Sequence, residues 1–276
     1  MIVGVPRRRV SVVGMTFELV VIGGGNMGAA LLGGLLESGA VAGSGVAVVE
    51  PYAPRRAELE SMFDVTITDR VPGCSSAVLA VKPPDIPHVA EAAAAAGATR
   101  VLSIAAGVTT ATIQAAVGVG VAVLRTMPNT PALIGEGVSA LSGAPGTTDA
   151  DLDWAERILS GVGLVVRVAE SQLDAVTGLT GSGPAYVFLV AEALMDAGVA
   201  AGLPRVTVEQ MVAQLLVGSS KLLAERGDPA GLRAMVTSPG GTTAAGVSVL
   251  EDRAVRAAMI GAVQAATERS RQLGQN

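Results

Sequence analysis

The stretch VVIGGGNMG, residues 20–28, runs from a short β-branched segment into three glycines and then into NMGAALLGGLLESG, a helix-forming sequence. Gly23, Gly25 and Gly28 are spaced as G-x-G-x-x-G between that strand and that helix. In this setting the first glycine permits a tight turn and the second lets a pyrophosphate approach the backbone. The third allows close helix-to-strand packing, and the phosphates lie at the helix N-terminus, where Asn26 and Met27 stand. In a chain with 35 glycines the spacing alone is a weak signal, so the context carries the reading. Glu50 closes the next β-branched run, GVAVVE, about 20 residues on, where a carboxylate accepts hydrogen bonds from the ribose hydroxyls of a dinucleotide.

Outward from this point, short β-branched runs alternate with alanine-rich helical stretches as far as Val168. FELVVIG, GVAVVE, SAVLAVK, RVLSIAA, VAVLR and GLVVRV read as strands, which predicts a parallel sheet with crossover helices. After Ala169 the strand runs stop. Val208, Met211, Val212, Leu215 and Leu216 recur at helical spacing, as do Val255, Ala258, Met259, Ala262 and Val263. Gly183-Pro184 marks a helix start, and Gly227-Asp228-Pro229 breaks a later helix. The expected fold class is therefore α/β: an N-terminal Rossmann-type dinucleotide-binding domain over 15–169, then an all-α helical domain over 170–276. Residues 1–14, MIVGVPRRRVSVVG, read as a disordered extension or as an over-long start with Met15 the alternative first residue. Their arginines follow the first apolar residues, the reverse of a secretory signal's order.

Composition narrows the function classes. With 276 residues and a net charge of −5 the chain lacks the basic balance of a nucleic-acid binder. The mean hydropathy of +0.53 comes from scattered Ala and Val, and charged residues are expected to interrupt every long apolar stretch, which predicts no membrane association. One cysteine, Cys74, and one histidine, His88, allow no internal disulfide and no His/Cys metal cluster, and fit a reducing cytoplasm.

Further candidate site residues lie where later strands should end. AVKPPD contributes Ala80, Val81, Lys82 and Pro83; SIAAGV contributes Ala105, Ala106 and Gly107; RTMPNTP contributes Asn129. In an open α/β sheet the ligand crevice lies beyond the carboxyl ends of the strands, so these segments should line the nicotinamide half of the cofactor. Near the other end, SPGGTT, residues 238–243, places two glycines among hydroxyls where backbone N–H groups can approach a ligand closely.

IGGGNMG, AVKPPD, SIAAGV, RTMPNTPALIGEG, VTGLTGSGPAYVF and LRAMVTSPGGTT, taken in order with the helical tail, resemble pyrroline-5-carboxylate reductase from about Phe17 to Leu273. The resemblance implies reduction of the cyclic imine L-1-pyrroline-5-carboxylate to L-proline by NADPH or NADH, with no metal. It also implies a homodimer through the helical domain, assembled into a decamer. SPGGTT is then the substrate segment. Gly240 and Gly241 would present N–H groups to the imino acid's carboxylate at the start of a helix beginning near Thr242, with Ser238 beside them. Thr243 matches the threonine whose hydroxyl contacts the ring nitrogen, and Val236 a residue packed by the substrate. No strong side-chain acid is needed, because the imine nitrogen is basic enough to arrive protonated.

Two other readings have distinguishing marks. A β-hydroxyacid dehydrogenase shares the Rossmann-plus-helices plan but relies on a lysine on the first helix of its second domain, and Lys82 and Lys221 do not fall there. A non-catalytic dinucleotide-binding homologue would show a damaged SPGGTT or glycine fingerprint, and both are intact. At the adenosine end the sequence departs from many relatives, which carry a small or hydroxyl-bearing residue where this chain has Glu50. A carboxylate favours NADH, while Arg55 and Arg56 could pair with a 2′-phosphate. The expectation is that both cofactors are accepted, with NADH used better than is usual in the family.

Overall fold

A computed structural model describes residues 14–274; of the expected N-terminal extension only Gly14 falls among them. The chain divides into two compact units, one formed by residues up to 181 together with those from 267 onward, the other by 182–266.

The first unit is built on an eight-stranded sheet in the order β10-β9-β8-β7-β6-β2-β3-β4, with a small parallel pair formed by β1 (Thr16–Phe17) and β5 (Gly73–Cys74). The strands are β2 (Leu19–Ile22), β3 (Val46–Val49), β4 (Thr66–Thr68), β6 (Ser76–Leu79), β7 (Arg100–Ser103), β8 (Ala122–Met127), β9 (Gly137–Gly143) and β10 (Gly163–Arg167). From β2 the order runs through β3 to β4 on one side and through β6, β7 and β8 on the other. The switch point therefore lies between β2 and β6, where a doubly wound sheet opens its ligand crevice.

The sheet is not wholly parallel, as the alternation predicts. β8 and β9 pair antiparallel, Thr126 opposite Leu141. The nine residues between them, 128–136, hold only a 3₁₀ turn, Thr130–Ile134. A parallel crossover needs about a dozen residues or more, so this connection can only reverse the chain. Neither β4 nor β9 stands among the strands read from the sequence. β4 has three residues at the sheet edge, and β9 is GVSALSG, poor in β-branched residues.

Alternation along the strands fills a core on each face. Val20 and Ile22 of β2 pack with Leu79, Val101 and Val123 against α3 (Ile86–Ala95) and α4 (Thr110–Val117). Leu19 and Val21 join Val48, Val78, Leu102 and Leu124 against α1 (Asn26–Glu37), Leu59 of α2 (Ala53–Met62) and α5 (Asp149–Ser160). Each fully buried leucine in this layer contributes about 1.5–3 kcal/mol. At the head of α5, Thr148 and Asp151 form a reciprocal capping box, and Asp151 also pairs with Arg100 at 2.6 Å.

After β10 the chain makes a 3₁₀ turn, Glu170–Gln172, one turn of α6 (Leu173–Val176) and a π-helical turn, Thr177–Gly181, which ends this part of the unit. The last turns of the chain return to it. Ser270, 4% exposed, donates to Asp174 Oδ1 at 2.7 Å, and a Cβ placed on Gly107 would lie 3.3 Å from the Gly274 nitrogen.

The second unit is helical: α7 (Gly183–Ala200), α8 (Arg205–Arg226), α9 (Pro229–Met235), α10 (Thr242–Asp252) and the start of α11 (Val255–Leu273). Gly227, in the left-handed region at φ 69°, ends α8, and Asp228 caps α9 by accepting from Gly231 N–H. Only two of its large apolar side chains, Val208 and Val212, are buried. Phe188, Leu189, Val206, Met211, Leu215 and Ile260 are all more than half exposed. Charged residues do not interrupt every apolar stretch as expected: Glu170–Ala200 is long and apolar enough, by length and composition, to cross a membrane. An α7 that is apolar all round fits a unit whose core is completed by another surface.

Candidate active site

The glycine loop is shaped as its spacing predicts. Gly23 follows β2 at φ 109°, and a Cβ there would strike the Ala80 carbonyl oxygen; a Cβ on Gly28 would strike the carbonyl oxygen of Gly23. Gly25, by contrast, has nothing within 4 Å of where its Cβ would be, and it is the exposed N-cap of α1. No side chain caps that helix and its first turn holds no acidic residue. The first N–H groups of α1 thus lack internal partners beside an exposed glycine with open space around it, an arrangement suited to a pyrophosphate.

Glu50 stands at the rim of this loop, one residue past β3. Its Oε2 accepts from Gly24 N–H at 3.1 Å and its Oε1 from Tyr52 N–H at 2.9 Å. Arg55 Nε donates to the Gly24 carbonyl at 2.7 Å and Nη1 to Glu58 at 2.7 Å. Arg56 Nη1 donates to the carbonyls of Glu50 and Pro51 at 2.8 and 2.6 Å. All three expected adenosine-end residues are thereby gathered at one strand end.

The other strand ends lie on the same edge of the sheet. Ala80, Val81, Lys82 and Pro83 follow β6, with Lys82 exposed at the start of a 3₁₀ turn. Ala105, Ala106 and Gly107 follow β7; Ala105 is buried and its N–H donates to Ser103 Oγ at 3.3 Å. Asn129, after β8, uses both ends of its amide within the protein. Its Oδ1 accepts from Val138 N–H at 2.9 Å and its Nδ2 donates to the Thr180 carbonyl at 3.0 Å. Asn129 therefore ties β9 and the π-turn to the end of β8.

Sequence reasoning missed a buried network beside these strands. Arg125 of β8, 7% exposed, pairs with Glu170 at 3.3 Å. Glu170 also accepts from Thr110 N–H at 2.7 Å and Thr110 Oγ1 at 2.6 Å, at the first turn of α4. Burial pushes the Glu170 carboxyl up, but the Thr110 and Arg125 hydrogen bonds outweigh it and hold the group below the usual glutamate range. An arginine inside an otherwise apolar strand, VAVLRTM, is the signal that would have found it. Cys74 is buried and its thiol is pushed up to about 11 by desolvation, which leaves it inert. His88 and Lys221 are exposed on α3 and α8.

In the helical unit, Val236 ends α9 and is 58% exposed. Ser238–Gly241 is a tight turn in which Gly241 N–H donates to the Ser238 carbonyl at 3.0 Å. Gly240 sits at φ 69° with open space where a side chain would be. Gly241 is the N-cap of α10, which has no side-chain cap, so the N–H groups of Thr242 and Thr243 lie in a first turn that lacks internal partners.

The chain matches the family described as pyrroline-5-carboxylate reductase dimerisation over residues 170–273. It matches that described as NADP oxidoreductase, coenzyme F420-dependent, over 18–107. The pyrroline-5-carboxylate reductase of Synechocystis sp. is 42% identical over 267 residues, covering 94% of this chain and 99% of that protein. The chain belongs to the pyrroline-5-carboxylate reductase family. Among solved structures, the family member from Coxiella burnetii is 33% identical with a TM-score of 0.88, covering 95% of this chain and 100% of that one. The enzyme of Plasmodium falciparum, solved with NADP bound, is 28% identical with a TM-score of 0.80, covering 94% of this chain and 98% of that one. The exposed apolar faces of α7 and α8 fall inside the matched dimerisation region, and the chain is accordingly a homo-oligomer.

Proposed function

We propose that the protein reduces L-1-pyrroline-5-carboxylate to L-proline, the last step of proline synthesis. The observation that carries this is the match to a reductase of that name at 42% identity over 94% of the chain. The glycine cradle fits the cofactor, and NADPH or NADH bound there supplies the hydride. Gly23, Gly25, Asn26, Met27 and Gly28 hold its pyrophosphate, with Glu50, Arg55 and Arg56 at the adenosine end. Ala80 to Pro83, Ala105 to Gly107 and the loop braced by Asn129 line its nicotinamide half.

We assign substrate binding to Val236, Ser238, Gly240, Gly241, Thr242 and Thr243. The N–H groups that open α10 hold the carboxylate, helped by the positive end of the helix. The Thr243 hydroxyl orients the ring nitrogen and Val236 packs on the ring. Hydride attack needs an electrophilic carbon, and a protonated imine already provides one. What remains for the protein is to hold the imine carbon in line and exclude competing poses, and positioning of this kind can supply about 7–11 kcal/mol. The active form is a dimer through the helical unit, assembled into a decamer in the cytoplasm. A spectrophotometric assay of purified protein with pyrroline-5-carboxylate and each reduced nicotinamide in turn tests the reading. Oxidation of neither cofactor would refute it.

A further inference from the structure

The geometry points to Glu50 as the residue that sets cofactor choice, making this enzyme select NADH over NADPH; the inference rests on the dinucleotide reading of the glycine loop given above. Glu50 does not merely lie near the loop. Its carboxylate is bonded to it, Oε2 to Gly24 N–H and Oε1 to Tyr52 N–H. These two bonds fix both oxygens between the fingerprint and the start of α2, so the negative charge cannot swing out of the way without leaving two backbone donors unpaired. Each carboxylate oxygen has a second lone pair. Fixed in this way, the group is an acceptor for the two hydroxyls of an adenosine ribose seated beside the loop.

A 2′-phosphate in the same place would bring up to two negative charges against the carboxylate. The two arginines bonded around this loop are already used. Arg55 bridges the Gly24 carbonyl and Glu58, and Arg56 clamps the carbonyls of Glu50 and Pro51. Both arginines therefore brace the segment that presents Glu50. To pair with a phosphate, one of them would have to abandon charge-assisted bonds of 2.6–2.8 Å. At a separation of a few ångströms the uncompensated repulsion amounts to roughly tenfold in affinity or more, even with strong solvent screening. The Plasmodium falciparum relative, solved with NADP, shows that the family scaffold accepts the phosphorylated cofactor. The discrimination in this chain is thus assigned to the rim residue and not to the cradle.

The test is equilibrium binding of NADH and NADPH to the purified full-length protein by cofactor fluorescence, without substrate, with 5′-AMP and adenosine 2′,5′-bisphosphate as competitors of the adenosine end. Wild type should bind NADH roughly tenfold or more tightly than NADPH, and 5′-AMP should compete better than the bisphosphate. Glu50→Ser, and Glu50→Gln, which keeps one carbonyl oxygen for the backbone donors, should both move the ratio toward NADPH. Equal or tighter NADPH binding by wild type overturns the inference, as does an unchanged ratio in the variants. Because no pyrroline is present, these outcomes are independent of turnover: a protein that binds NADH selectively and fails to reduce the imine would sink the proposed function and leave this assignment standing.

Discussion

Glu170→Gln removes one charge and almost no volume, and it strips the buried Arg125 guanidinium of its ion-pair partner. In the native protein the carboxylate accepts hydrogen bonds of 2.6 and 2.7 Å from Thr110 and 3.3 Å from Arg125. Removing one member of a fully buried pair costs about 3–5 kcal/mol. Glu170 is 30% exposed, so water can reach the gap, and the glutamine oxygen retains one bond. The expected loss is therefore about 2 kcal/mol, the order of one or two hydrogen bonds to a charged group. For a chain of this size that corresponds to a fall of roughly 4–8 °C in Tm. Thermal unfolding followed by circular dichroism, at one fixed subunit concentration because the protein is oligomeric, measures it. The pH dependence has a definite sign. The folded-state pKa of Glu170 is depressed below the reference value of 4.5, so its stabilisation is complete above that value and disappears as pH falls through the folded-state value. The gap between wild type and variant should hold steady from neutrality down to about pH 5 and narrow in stronger acid. Adding Arg125→Met to Glu170→Gln should recover part of the loss, since the buried charge is then gone as well. A Tm change under about 1 °C at neutral pH, or a gap indifferent to acid, would show that Arg125 is compensated by something else.

Gly28→Ala places a methyl against the Gly23 carbonyl oxygen; the loop must shift, and NADH affinity should drop by about tenfold or more, read by fluorescence titration. Thr243→Ala should lower kcat by roughly an order of magnitude while leaving the cofactor dissociation constant unchanged, because the hydroxyl serves the reacting ring. A wild-type kcat would remove Thr243 from the site. A fragment ending at residue 169 lacks Glu170, the buried Leu173 and the Thr180 carbonyl bound by Asn129. It should melt below a fragment ending at 181, and both should sediment as monomers; an equal Tm would mean that the 170–181 segment adds nothing to the unit.

The glycine fingerprint could be read because its chemistry is local: strand, turn and helix start lie within nine residues, and each glycine answers to a steric demand of its neighbours. The six β-branched strands and the breaks at Gly183 and Gly227 were legible for the same reason. β9 was not, since GVSALSG has weak strand propensity and is held by pairing to β8 and β10. The braces are long-range. Glu170 meets Thr110 across 60 positions and Ser270 meets Asp174 across 96, and no window of sequence contains both partners. Asn129 shows the limit from the other side: its position at a strand end was readable, while the engagement of its amide with Val138 and Thr180 depends on the antiparallel turn that the alternation did not predict.

The return of α11 to the first unit has a consequence for how the protein is made. A ribosome releases residues up to 181 and then spends roughly 5–20 s on the remainder before Ser270 can reach Asp174 and Gly274 can settle against Gly107. During that interval the apolar helices α7 and α8 emerge first and can seek a second nascent chain. Subunit pairing can thus precede closure of the nucleotide-binding unit, and a premature stop that deletes only the final turns would injure the unit synthesised first.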